Sequence, residues 1–240
     1  MRGQYFRSGP RWLPAGIVVL HWPERVKLLN VHTHYPTGNL VADEIVNVRP
    51  GESSGLVPNL YSAGLHPWFL TEMSLNSDLE WLRSHAVDAI AIGEAGLDKL
   101  VNVPANLQMA AFRACIAVSE QSGKPLIIHC VKAFDAVIAL KKSLKPSQPW
   151  IIHGFDKHPQ TAGELLRAGC YLSFGKALFN ERSHAAGSLR ATPADRFFLE
   201  TDDAQDLTIE AVYARAAAIR GVAQEEMIST CIRPDSIFRL

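Results

Sequence analysis

From Lys27 onward, short apolar runs alternate with longer stretches of mixed polarity. The runs are Lys27–Val31, Glu44–Val48, Leu60–Gly64, Ala89–Gly93, Leu126–His129, Trp150–His153, Tyr171–Phe174 and Phe197–Glu200. Hydrophobicity within each is nearly continuous rather than alternating, as expected for strands buried on both faces of a parallel sheet. Between the later runs the period becomes helical. Leu107, Ala110, Ala111, Ala114, Cys115 and Val118 fall at i, i+3, i+4, i+7, i+8 and i+11, and Gly123 and Pro125 stop that segment. Phe134, Val137 and Ile138 repeat the pattern, Leu165 and Leu166 lead to a stop at Gly169, and Tyr213, Ala216 and Ala217 mark a late helix. Strands alternating with helices along one chain predict an α/β protein with a TIM-type (β/α)8 barrel over residues 26–240. A doubly wound open sheet shares this pattern. Arg49–Asn59, rich in Pro, Gly and Ser, reads as loop, so the barrel is expected to be reduced around its first two β/α units.

Composition narrows the classes. The 240 residues carry 24 basic and 24 acidic side chains, which removes the simplest argument for a protein held to nucleic acid by bulk charge. Local grip on a few phosphates stays open. Cys115, Cys130, Cys170 and Cys231 are widely spaced, which fits reduced thiols in a cytoplasmic protein better than a disulfide framework. No apolar run is long enough for a membrane span. Arg2, Arg7 and Arg11 before Trp12–Leu20 loosely imitate a secretion signal, but Pro14 interrupts the run and no small-x-small site follows. Residues 1–25 therefore read as an extension outside the fold.

Ligand-type side chains recur where the apolar runs end. His32 and His34 follow the first run, His66 the third and Glu94 the fourth, while His129 and His153 end the fifth and sixth and Asp202 follows the eighth. In a barrel the C-terminal strand ends converge on one mouth, so residues far apart in sequence become neighbours in space. Imidazoles and carboxylates gathered there suit one or two ions such as Zn²⁺, Mn²⁺ or Fe²⁺ better than Ca²⁺, which prefers oxygen ligands throughout. His32 and His34 share one side of a strand, and Glu94 can offer one oxygen to each of two ions. Taken singly, each residue has a structural alternative: a core imidazole, or a helix cap in the case of Asp202. Their coincidence at strand ends carries the reading.

His32-Thr33-His34, Gly64-Leu65-His66-Pro67, Ala91-Ile92-Gly93-Glu94-Ala95-Gly96-Leu97-Asp98, Pro125-Leu126-Ile127-Ile128-His129-Cys130, Ile152-His153-Gly154-Phe155 and Leu199-Glu200-Thr201-Asp202 occur in the order found in the TatD family of metal-dependent deoxyribonucleases, which the chain resembles from about Asn30 onward. The resemblance implies an amidohydrolase-like barrel with two divalent ions, Zn²⁺, Mn²⁺ or Mg²⁺. It assigns His32, His34, Glu94 and Asp202 to one ion, and Glu94, His129 and His153 to the other. It also implies metal-dependent phosphodiester hydrolysis, including removal of nucleotides from DNA ends. Asn30 stands where the family usually has Asp, and the segment after Asp202 is shorter than in the family.

The expected reaction is attack by a metal-activated water, with Asp202 as general base. His66 is expected to hydrogen-bond a phosphoryl oxygen or the leaving group, and Lys132 to add positive charge. The same site could polarise the carbonyl of a small amide, lactone or ester, so a small-molecule substrate stays beside DNA, with a non-catalytic metal-binding barrel as the third reading. The sequence gives no sign of an obligate protein partner.

Overall fold

The computed structural model describes residues 27–38, 40–52, 58–231 and 237–238, so the expectations for residues 1–25 lie outside it. Eight parallel strands follow one another in sheet order: β1 (Leu28–Thr33), β2 (Ala42–Val48), β3 (Tyr61–Ala63), β4 (Ala91–Asp98), β5 (Leu126–Val131), β6 (Trp150–Ile152), β7 (Cys170–Phe174) and β8 (Phe197–Leu199). The ends of the sheet meet just past β8. Asp202 N–H donates to the His32 carbonyl at 3.0 Å, and His34 N–H donates to the Asp202 carbonyl at 3.0 Å. That seam makes the sheet a barrel and excludes the open, doubly wound alternative.

The helices are α1 (Leu75–His85), α2 (Ala105–Ser122), α3 (Phe134–Leu144), α4 (Pro159–Arg167), α5 (Ala185–Ala191), α6 (Ile209–Arg220) and α7 (Gln224–Cys231). Among the described residues no helix lies between β1 and β2 or between β2 and β3, so the first two units are reduced as expected. The stop at Gly123 is a left-handed cap, with φ at 67°, whose N–H bonds the Glu120 and Ser119 carbonyls. Thr208, rather than Asp202, caps α6: its Oγ1 accepts the Ala211 N–H at 3.3 Å. The buried face of α2 is rotated from the expected stripe. Ala110 is exposed, while Gln108 and Phe112 are buried, because Gln108 turns inward to hold the backbone of Asp98.

Two apolar layers form. Leu29, Val31, Ile45, Ala91, Ile127, Ile151 and Phe198 fill the barrel interior together with Phe238, while residues such as Ile92, Ile128, Ile152 and Leu172 pack outward against the helices. Two residues beyond the inner layer along the strands come Asn47, His129, His153 and Glu200. Strict alternation would turn His32 and Glu94 outward, since Val31 and Ala91 face inward. Register shifts between Asn30 and Thr33 in β1, and between Ile92 and Ala95 in β4, bring both side chains back to the inside.

Candidate metal centre

Glu94 reaches the centre because glycines let the backbones close around it. A Cβ on Gly64 would fall 2.4 Å from the Glu94 carbonyl oxygen, and one on Gly93 would fall 2.4 Å from the Ile127 carbonyl oxygen. Neither position accommodates a side chain without moving a strand. Asn47 of β2 fixes the segment from the other side, its Oδ1 accepting the Glu94 N–H at 2.7 Å and the Ser62 hydroxyl at 3.3 Å.

The two oxygens of Glu94 face different sets of imidazoles. Oε2 lies 3.4 Å from His32 Nε2 and 3.4 Å from His34 Nε2. Oε1 lies 2.7 Å from His129 Nδ1, 2.7 Å from His153 Nε2 and 3.1 Å from His66 Nε2. Asp202 Oδ1 completes the first set, 3.6 Å from His32 Nε2 and 3.7 Å from His34 Nε2. All six residues expected as ligands therefore converge on one mouth, and His66 joins them.

Partners behind the imidazoles define which nitrogen each presents. His129 Nε2 lies 3.0 Å from Asp98 Oδ2, leaving Nδ1 for the centre. His153 Nδ1 is 3.7 Å from Glu200 Oε1, whose carboxylate also accepts the Gly154 N–H at 2.6 Å, leaving Nε2 for the centre. His66 differs. Its Nδ1 accepts the Trp68 N–H at 3.1 Å, so in the neutral ring Nε2 carries the proton and donates. Burial lowers the His66 pKa against the pull of Glu94, which keeps that neutral donor form.

Burial works against the charge on Glu94, yet His153, His129 and His32 outweigh it and hold the carboxyl well below its usual range. Burial likewise opposes charge on His153, but Glu94 and Glu200 raise it well above an ordinary imidazole. His34 is raised against burial by Glu94 and Asp202.

His32 tests whether the residues fit a metal. It is fully buried, and neither ring nitrogen has a hydrogen-bond partner among the described residues. A buried polar atom left unsatisfied costs about 1–3 kcal/mol. Here that atom, Nε2, faces two carboxylate oxygens, as a neutral ligand to a divalent ion would. His32, His34 and Glu94 form one compact donor group, and His32, His153 and Asp202 another. The donor set fits.

The mouth is a cavity of about 450 Å³ lined by Tyr35, Arg49, Trp68, Phe69 and Lys176 around the histidines and carboxylates. A larger cavity of about 780 Å³ shares Lys176 but contains none of the histidines, so the chemistry belongs to the smaller one. Lys132 is exposed and is not among the residues lining either cavity. The ammonium group at the mouth is Lys176, 3.6 Å from Asp202 Oδ2 and paired with Asp203. Lys176, Asp98, Glu200, Asn47 and Trp68 were not assigned roles from sequence. Lys176 stands two residues past β7, and Asp98 ends β4, so both obey the strand-end rule that found the histidines.

The sequence model of the family described as "TatD related DNase" matches residues 52–233. An Escherichia coli K12 protein named uncharacterized metal-dependent hydrolase YcfH is 29% identical over 209 residues, covering 79% of this chain and 75% of its own length. A protein of Edwardsiella piscicida named 3'-5' ssDNA/RNA exonuclease TatD is 38% identical over 151 residues, covering 59% of this chain and 56% of its own. The crystal structure of the TatD homologue YjjV from E. coli K12 superposes with a TM-score of 0.77 at 18% identity, over 89% of this chain and 98% of that one.

Proposed function

The chain belongs to the TatD-related DNase family of metal-dependent hydrolases, and from that premise we propose that it hydrolyses phosphodiester bonds of a nucleic acid strand, DNase-like, with two divalent ions, Zn²⁺, Mn²⁺ or Mg²⁺. The observation that carries this reading is the division of Glu94, one oxygen toward His32 and His34 and the other toward His129 and His153. His32, His34, Glu94 Oε2 and Asp202 would hold one ion, and Glu94 Oε1, His129 and His153 the other. Such ions, when bound, lower the pKa of a bound water toward ~7 and neutralise charge building on a phosphoryl group.

The protein's own groups do the rest. Asp202 takes the proton of the attacking water. His66, held as an Nε2–H donor by the Trp68 backbone, donates to a phosphoryl oxygen or to the leaving group. Lys176 supplies the cation at the mouth; Asp203 and Asp202 raise its pKa against burial, so it stays protonated across neutral pH. The nuclease names carried by relatives support nucleic acid as the substrate. Cys115, Cys130 and Cys170 are free thiols, which fits the cytoplasm, and among the described residues no helix is long and apolar enough to cross a membrane.

One observation favours a second reading, a small-molecule ester or amide: a mouth of about 450 Å³ lies within the ~300–1,000 Å³ typical of small-ligand sites. Elemental analysis of protein purified without added metal, joined to turnover of single-stranded oligonucleotide, bis-p-nitrophenyl phosphate and simple amides, separates them. We expect close to two ions per chain and strand cleavage that Glu94→Gln abolishes. Amide turnover alone would transfer the case to the second reading, and strand cleavage undiminished by Glu94→Gln would remove the site assignment.

A further inference from the structure

Four residues past the end of β3, the chain turns through a short 3-10 segment, Pro67–Phe69, that places two large aromatic side chains at the mouth. Trp68 is 53% exposed. Tryptophan is highly buried on average, so a half-open indole leaves an apolar face in contact with water. It is nevertheless held in place. Its Nε1–H donates to Asp98 Oδ2 at 2.7 Å, the oxygen that also faces His129 Nε2 at 3.0 Å. Its ring meets His66 edge-on at 5.1 Å between centroids and His129 at 5.8 Å. Trp68 is thus fixed to the residues that orient the centre, while half its surface stays available.

The other residues at the mouth indicate what that surface would meet. Phe69 is occupied, with the Arg49 guanidinium 3.7 Å from its ring centroid. Tyr35, 48% exposed, lines the same cavity from the end of β1. Arg49, paired with Glu52 at 3.4 Å, and Lys176, paired with Asp203, stand beside these rings as cations that an incoming anion would share. A flat aromatic group attached to an anion matches this combination of open rings and flanking cations, and a nucleotide has that form. The volume of about 450 Å³ suits one such unit rather than a duplex.

Building on phosphodiester hydrolysis at this site, we infer that Trp68 is the platform on which the base of the bound nucleotide stacks, so that one side chain both recognises the base and, through Asp98, positions His129. Pre-fixing the indole reduces the entropy lost on binding, because its rotamer is set before the ligand arrives.

The test reads binding rather than turnover, so its failure is separable from that of the hydrolysis assay. The metal-loaded full chain is titrated calorimetrically with dAMP and with 2-deoxyribose 5-phosphate, which share the phosphate and differ in the base. Wild type is expected to prefer dAMP by about tenfold. Trp68→Phe should keep most of that preference, because the ring remains. Trp68→Ala should reduce it to within about twofold, and Trp68→Leu, which fills the space without a ring, should do the same if the alanine variant folds poorly. Equal affinity for the two ligands in wild type, no binding of either, or a preference that survives both Ala and Leu overturns the inference. The positioning role has its own signature: Trp68→Phe, unable to bond Asp98, should lose metal affinity while retaining base preference. Unchanged metal affinity in that variant would leave Trp68 no part in holding His129.

Discussion

The Asn30 side chain clasps Thr201 across the barrel seam by two hydrogen bonds, Nδ2 donating to Thr201 Oγ1 at 2.8 Å and Oδ1 accepting the Thr201 N–H at 3.0 Å. Both residues are buried, and Thr201 precedes Asp202, which has a positive φ of 53°. The clasp therefore ties the first strand to the residue just before Asp202, whose carboxylate reaches His32 and His34. The geometry explains how Asn30 serves this position: its amide both donates and accepts here.

Replacing Asn30 separates these functions. Asn30→Leu should leave the Thr201 N–H unsatisfied and cost about 1–3 kcal/mol of stability, measured by urea unfolding, with weakened metal retention because Asp202 loses its anchor. Asn30→Asp should lose less, since a carboxylate accepts the Thr201 N–H and the Thr201 hydroxyl can turn to donate to it, giving up only its 3.1 Å bond to Thr33 Oγ1. Equal losses in the two variants would mean that the clasp contributes packing alone.

Asp98 and Glu200 act behind the imidazoles. Asp98 accepts from Trp68 Nε1 and the Leu100 N–H and faces His129, while Gln108 bonds its backbone on both sides. Loss of such an outer carboxylate typically weakens metal binding about 10–100-fold. Asp98→Asn is expected to fall in that range by competition with a chromophoric chelator, with strand cleavage substantially restored when metal is supplied in excess. A variant that binds metal as tightly as wild type would exclude this role for Asp98.

Much of the fold was legible because a parallel barrel buries both faces of its strands, and the apolar runs marked the strands to within a few residues. The seam-side pair His32 and His34 and the strand-end histidines His129 and His153 were legible for the same reason. Other features were hidden by that reason as well. Where hydrophobicity does not alternate, a register shift leaves no break in the pattern, so the shifts that turn His32 and Glu94 inward could not be read. β4 runs on through Ala95, Gly96 and Leu97 to Asp98, past the end of its apolar run at Gly93, so the run alone does not mark Asp98 as a strand-end residue. Helix α1 carries only Leu82 as a fully buried residue, too weak a stripe to mark it. Lys132 is close to His129 in sequence, whereas Lys176 reaches the mouth from the end of β7, two strands away from β5.

Lys176 and Lys132 offer a direct comparison. Lys176 lines the mouth beside Asp202, and an ammonium contacting a phosphoryl oxygen is worth about 1.5–3 kcal/mol. Lys176→Ala should therefore raise KM for an oligonucleotide by roughly 10–100-fold and flatten its salt dependence. Lys132→Ala, at an exposed position outside both cavities, should stay within about twofold of wild type. Initial rates of both variants across a salt series provide the check, and the reverse ranking would restore the sequence expectation for Lys132.

Removing metal should not unfold the protein. The inner and outer apolar layers pack independently of the mouth, and the buried charge of Glu94 is balanced by His153 and its neighbouring imidazoles. Chelated protein should therefore keep its far-UV circular dichroism and melt cooperatively. Returning a divalent ion must then displace imidazole protons, so metal should release protons on binding and bind more weakly as the pH falls. Because the ion binds the folded state, an excess of about a hundredfold over Kd should add ~2.7 kcal/mol, which for a chain of this size raises the melting temperature by roughly 5–10 °C. Glu94→Gln should lose most of that increment, since the two oxygens of Glu94 each face a different imidazole set. Melting curves recorded against metal concentration decide the point: an equal rise in wild type and Glu94→Gln would mean that the cation stabilises the protein from somewhere else.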